Sequence, residues 1–202
     1  MKSVIASAVV GMVALLQSPA APVVVVFETS LGAITIEVNV AKAPISAANF
    51  LKYVDEGLYN GGRFHRTVRP DTETNQVHPI EVVQAGRAPR TPTTPGFPPI
   101  ALEPTSVTGL THVDGAVSMA RAAANTATSD FFICIGAQPL LDFGGARNAD
   151  GQGFAVFGRV VAGMDVVKKI QASSVRPGSQ TLTPAITILR TVRKPQALVS
   201  SK

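Results

Sequence analysis

"VVVVFETSLGAITIEV", residues Val23–Val38, sets two runs of β-branched residues around the interruption Ser30-Leu31-Gly32. In the second run Ile34, Ile36 and Val38 alternate with Thr35 and Glu37, the period of a strand with one buried face. Two such runs joined by a short glycine-containing link read as a β-hairpin. The period then changes. In "APISAANFLKYVDEGLYNGG", Ala47, Phe50, Leu51 and Val54 share one helical face, Pro44 stands near the first turn and Gly57 is placed to end it. A hairpin leading into one amphipathic helix opens an α+β or a capped all-β domain.

Further along, "GAVSMA", "DFFICIG" and "FAVFGRVV" are short apolar runs of the kind that form buried strands, and "AITILRTV" alternates as a final strand. "GMDVVKKI" predicts a second helix. Between Ala88 and Pro104 six prolines, two of them adjacent, predict a long loop within one domain. The sum is strand-rich with two helices, without the regular β-α alternation of a parallel-sheet enzyme. No repeat of 20–50 residues is visible.

The 202 residues suit one domain with a substantial core. A hydrophobic share of 46% against 15% charged residues excludes a disordered, charge-rich chain. The net charge of +5 is scattered rather than gathered into a stripe, so nucleic acid is not an expected partner. The first residues combine Lys2, an apolar run from Val4 to Leu16, and the small residues Ser18 and Ala20. That is the layout of a secretory signal peptide, residues 1–20, and the apolar run of about 13 residues is short of the ~20 that span a bilayer. Export to the periplasm or outside the cell is expected, with a mature domain over 23–193 and a tail over 194–202. Cys134, the lone cysteine, can make no disulfide within the chain and reads as a buried thiol.

Most catalytic signatures are missing. No glycine-rich phosphate loop follows a strand, no serine sits in a Gly-x-Ser-x-Gly elbow, and His65, His78 and His112 lack metal-ligand spacing. "ARNADG" (Ala146–Gly151) resembles part of a calcium loop but lacks its first ligand and its closing glutamate. No metal or other cofactor is expected. What remains is a series of phrases in one order: "FHR" (Phe64–Arg66), "VVQAG" (Val82–Gly86), "GAVSMAR" (Gly115–Arg121), "NTATSDFFI" (Asn125–Ile133), "LLD" (Leu140–Asp142) and "FAVFGRVVAGMDVVKKI" (Phe154–Ile170). The series closely resembles the cyclophilin family of peptidyl-prolyl cis–trans isomerases, in particular its exported bacterial members, from about Val23 to Val192.

The resemblance implies a closed eight-stranded antiparallel β-barrel capped by two helices, with a shallow groove for a peptide around an X–Pro bond. It implies an enzyme of protein folding that needs no cofactor and works as a monomer on unfolded or partly folded proteins and Pro-containing peptides. Cyclosporin-like inhibitors are ligands it allows. Arg66 matches the family's catalytic arginine, which Phe64 and His65 would buttress, with Arg63 a solvated turn residue. Gln84 matches the groove glutamine that orients that arginine. Phe132 and Leu141 match the proline pocket. Phe154 stands where many members carry a histidine and bacterial ones often an aromatic residue, so it can close the pocket but loses a polar contact. Ala120 and Arg121 match backbone-contact positions. Read without the family, Arg66 is a strand-end salt-bridge residue, Gln84 an exposed strand polar residue, and Phe132 and Leu141 core residues. The chain departs from the family between Arg66 and Gln84, where "TVRPDTETNQVHPIEVV" replaces a short turn. There the family's groove phenylalanine position falls on Glu81 or Val82. Glu81 in the pocket would set a carboxylate beside Arg66, and a peptide-binding module without strong catalysis is then the alternative function.

Overall fold

The computed structural model describes residues 22–89 and 91–194. The expected signal segment lies outside the described residues, as does the expected tail beyond Lys194, whose backbone N–H still donates to Val24 O at 2.8 Å.

Eight strands form: β1 Val23–Thr29, β2 Gly32–Val38, β3 Arg63–Val68, β4 Val82–Gly86, β5 Ala116–Met119, β6 Phe131–Cys134, β7 Ala155–Ala162 and β8 Thr181–Arg193. They pair antiparallel in the order β1-β2-β7-β5-β6-β4-β3-β8, and β8 returns to β1, so the sheet is a closed barrel. The opening hairpin runs from Val23↔Val38 to Thr29↔Gly32, leaving Ser30 and Leu31 as its link. Two helices longer than one turn accompany the barrel, α1 Pro44–Asp55 and α3 Met164–Ala172; between them in sequence lies the single turn α2, Thr105–Thr108.

Strand alternation fills the interior. Phe27, Phe131 and Phe157 from the strands meet Phe50 of α1 and Tyr59, with ring centroids 4.8–5.8 Å apart. All five rings are fully buried, and burial of each stabilises the fold by roughly 2–3 kcal/mol. Tyr59 keeps its hydroxyl satisfied by donating to Ser129 O at 2.7 Å. α1 has no side-chain cap of its own. Its free N–H groups at Ile45 and Ser46 donate instead to the Glu103 carboxylate, at 3.0 and 2.6 Å. That carboxylate near the positive end of the helix dipole does the work of an N-cap.

Glu103 comes from the end of the Pro-rich segment, which gives that segment a structural task. Phe97 lies edge-on to Tyr53 at 4.8 Å beneath the Lys52 ammonium, and Ile100 N donates to Ala127 O. The segment is therefore strapped along α1. Cys134 is buried in β6, and burial pushes its thiol pKa far above the ordinary value, so it is an inert core side chain. Among the described residues no helix is long and apolar enough to cross a membrane.

Candidate active groove

β3 and β4 pair as Phe64↔Ala85 and then Arg66↔Gln84, so His65 and Arg66 together face one residue. This bulge breaks the alternation of β3. Phe64 points into the barrel against Phe131, whereas Arg66, two positions on, lines a cavity outside it. Strict alternation would have driven the guanidinium into the core, where an unpaired charge is very costly. The register beyond the bulge lays a row across four strands. Arg66 stands opposite Gln84, Gln84 opposite Phe132, and Phe132 opposite Ser118.

Arg66 Nη1 donates to Gln84 Oε1 at 3.0 Å, while Nε and Nη2 both donate to Gln180 Oε1 at 2.9 and 2.6 Å. Each amide is held from behind. Gln84 Nε2 donates to Asp130 Oδ2 at 3.3 Å, and Gln180 Nε2 to Thr72 O at 3.0 Å. Both partners of the guanidinium are neutral, so no carboxylate cancels its charge. Burial lowers its pKa and the nearby Arg147 lowers it further, Glu73 opposing them, but a guanidinium remains protonated at any working pH.

The apolar wall faces this donor. Phe132, Phe154, Leu141, Val82 and Ile80 line a cavity of about 530 Å³ together with Arg66 and Gln84. Phe132 and Phe154 meet edge to face at 5.3 Å. Behind Phe132 the buried His112 ring lies nearly parallel at 5.8 Å. Its Nδ1 is 2.7 Å from Asp142 Oδ1 and its Nε2 3.0 Å from Ser118 Oγ. Burial lowers the His112 pKa while Asp142 opposes the shift, so the ring is neutral, donating through Nδ1–H to Asp142 and accepting the Ser118 hydroxyl.

The insertion resolves the choice between Glu81 and Val82. Gln84 faces the groove, so alternation along β4 puts Val82 there and turns Glu81 away. Glu81 Oε2 accepts from Gln171 Nε2 at 2.8 Å, on α3, and is absent from the groove wall. Of the two positions left open by the sequence, Val82 takes the groove, and no Glu81 carboxylate stands beside Arg66. The buried acid of the insertion is Glu73, whose side chain is 1% exposed. It accepts from Arg147 Nη1 and Nη2 at 2.9 and 3.3 Å and from the N–H groups of Asn75 and Ile80 at 2.8 and 3.0 Å. Burial alone would raise its pKa, but these four donors hold it below the usual carboxylate range. Through Ile80 N this pair seats the apolar side chain that closes the pocket.

Ala120 and Arg121 also line the groove, but by different routes. Ala120 N is spent on Asp130 O at 2.8 Å. The Arg121 side chain is 1% exposed, clasped by Asp150 at 2.7 and 2.9 Å and laid over the Phe154 ring. The Arg121 contact holds Asp150 down at about 2. Two further expectations change: Phe64 belongs to the core rather than to Arg66, and Arg63 begins β3 opposite Gly86 rather than forming a turn. His65 reaches Arg66 only indirectly, 3.6 Å from the Asp130 oxygen that Gln84 also uses.

The sequence matches the family model described as cyclophilin type peptidyl-prolyl cis-trans isomerase/CLD over residues 24–193. The chain belongs to the cyclophilin family. It is 37% identical over 158 residues to peptidyl-prolyl cis-trans isomerase A of Dickeya dadantii, covering 76% of this chain and 75% of that protein. It is 36% identical over 148 residues to peptidyl-prolyl cis-trans isomerase B of Escherichia coli, covering 73% and 83%. In fold it resembles a cyclophilin type peptidyl-prolyl cis-trans isomerase of Cryptosporidium parvum solved in the presence of the dipeptide Ala-Pro. There the TM-score is 0.66 at 20% identity, over 86% of this chain and 99% of that one.

The matched span of this cyclophilin contains every groove residue named above. Several of them carry no signal in the sequence phrases: Gln180 is 114 positions from Arg66, and Arg147 is 74 from Glu73. Asn148, at the groove rim, has its Nδ2 buried without a partner among the described residues. Ile80 alone was within reach, by the same alternation that selects Val82.

Proposed function

We propose that this cyclophilin accelerates cis–trans rotation about X–Pro bonds and that Arg66 is its catalytic donor. The observation that carries the reading is a fixed guanidinium, held by two neutral amides, facing the apolar wall of Phe132, Phe154, Leu141, Val82 and Ile80. Delocalisation of the amide nitrogen lone pair gives a barrier of about 18–20 kcal/mol, and uncatalysed X–Pro exchange takes roughly tens to hundreds of seconds. Twisting the bond localises that lone pair on the proline nitrogen. An Arg66 N–H aimed there binds the twisted state more strongly than the planar one, which lowers the barrier with no covalent step. Phe132, Leu141, Val82, Ile80 and Phe154 hold the ring, and Gln84 and Gln180 fix the guanidinium.

The layout of residues 1–20 supports a signal peptide, and so an enzyme of the periplasm or cell exterior that acts on unfolded or partly folded exported proteins. Cyclosporin-like compounds are inhibitors of the class this groove would take, with the chain acting as a monomer. The alternative of a peptide-binding module with little or no catalysis drew its motive from Glu81 and from the insertion; Glu81 bonds Gln171 instead, and the insertion supplies Ile80 to the groove wall. Cis–trans exchange of an Ala-Pro-containing peptide, followed by NMR magnetisation transfer, tests the reading. Acceleration by the wild type and loss of it in Arg66→Ala are expected. No acceleration by the wild type, or full activity in Arg66→Ala, overturns it.

A further inference from the structure

A second groove adjoins the first and shares Asp130 with it. It has a volume of about 480 Å³ and is bordered by Arg63 and His65 of β3, Arg87 beyond β4, Arg176 before β8 and the first residues of β8. Its charge is lopsided. Three guanidiniums face a single carboxylate, Asp130, which is already engaged by His65, Gln84 and Ser129.

The placement of the arginines among the described residues makes this pattern specific. Among the described residues Arg69, Arg121, Arg147, Arg159, Arg190 and Arg193 each pair with a carboxylate. The described arginines that pair with none are Arg63, Arg66, Arg87 and Arg176, and all four line one or other of the two adjoining grooves. Arg63 and Arg176 are exposed. Arg87 donates to Ala88 O at 3.0 Å and Thr94 O at 2.7 Å and leaves Nη1 buried without a partner. Uncancelled guanidinium charge is thus gathered along one path that starts at the proposed catalytic donor.

We propose that the second groove is an extended substrate subsite that selects client segments carrying Asp or Glu residues beside the X–Pro bond. The proposal rests on the isomerase reading of the first groove. An extended chain lying across Arg66 and past Asp130 brings its flanking side chains over the exposed Arg63 and Arg176, each of which can receive a carboxylate in the two-pronged geometry of a guanidinium, while Arg87, held by Ala88 O and Thr94 O, adds positive charge to the lining. Such exposed pairs contribute modestly one by one and are screened by salt, so they bias the choice of client without tying it down.

The test compares one neutral X–Pro peptide with versions bearing four acidic residues on the amino or the carboxyl side. The acidic flank on one side is expected to raise kcat/KM by about threefold to tenfold at low salt, with the gain vanishing at about 0.5 M salt. In the double variant Arg63→Glu, Arg176→Glu the ratio of acidic to neutral peptide falls to one or below. Equal kcat/KM for acidic and neutral peptides on both sides, or a gain that survives charge reversal, overturns the proposal. NMR shifts of the groove residues on titration with the same peptides keep the two readings apart. No turnover of any peptide sinks the isomerase reading, whereas binding without preference for the acidic flank sinks this one. A single-stranded oligonucleotide of equal charge that binds as tightly as the acidic peptide also overturns it.

Discussion

Arg66 makes all its side-chain bonds to neutral amides, which leaves it fully charged yet fixed in direction. Removing it in Arg66→Ala is expected to lower kcat by about 100- to 1000-fold, the loss found for a donor aimed at developing transition-state charge, with the fold retained by circular dichroism. Gln180→Ala removes two of the guanidinium's three bonds but none of the pocket. It is expected to lower kcat about tenfold with KM little changed, about 1.5 kcal/mol for losing the single charge-assisted acceptor oxygen that both bonds share, read in the same exchange assay. Arg66, Gln84 and Phe132 were legible because each sits in a short phrase of fixed spacing. Gln180 was not: its role depends on β8 lying beside β3, a juxtaposition made by barrel closure and invisible to local pattern.

Two irregular elements shape the site. The β3 bulge turns Arg66 out of the barrel, and the insertion after β3 anchors Ile80 through Glu73 and Arg147. Glu73→Gln leaves Arg147 without its counter-charge and is expected to cost about 3 kcal/mol in chemical denaturation. Because Ile80 then loses its anchor, KM rises more than kcat falls, a split that a purely global loss of stability would not give. The helices and strands were readable from period alone, since each buries one face. The bulge was readable only by contradiction. Phe64 and Arg66 have the same parity, yet one is a core ring and the other a cation, and no regular strand satisfies both. The same parity, counted back from Gln84, was enough to choose Val82 over Glu81. The long partnership of Glu73 with Arg147 had no such local mark.

At the scale of the molecule, stability should depend on acidity in two steps. The His112 pKa is lowered from 6.5 in the folded state, so the unfolded chain takes up a proton first and stability falls as pH drops below about 6.5. Glu73 is lowered from 4.5, so its contribution is intact above that value and is lost as pH falls through its folded pKa. Denaturation midpoints followed from pH 8 downward check both, and His112→Gln should remove the upper step. The aromatic cluster that joins α1 to the barrel bears the largest packing load. Phe131→Ala, which empties its centre, is expected to cost about 3–5 kcal/mol, measured as a shift in urea midpoint.

Closure of the barrel through β8 and β1 also bears on the company this enzyme keeps. An unfolded chain carries backbone groups bonded only to water, and any open sheet margin is a template on which it can grow by strand addition. Here every strand has neighbours on both sides. If its clients are the unfolded chains proposed above, the barrel offers them no rung on which to start a fibre.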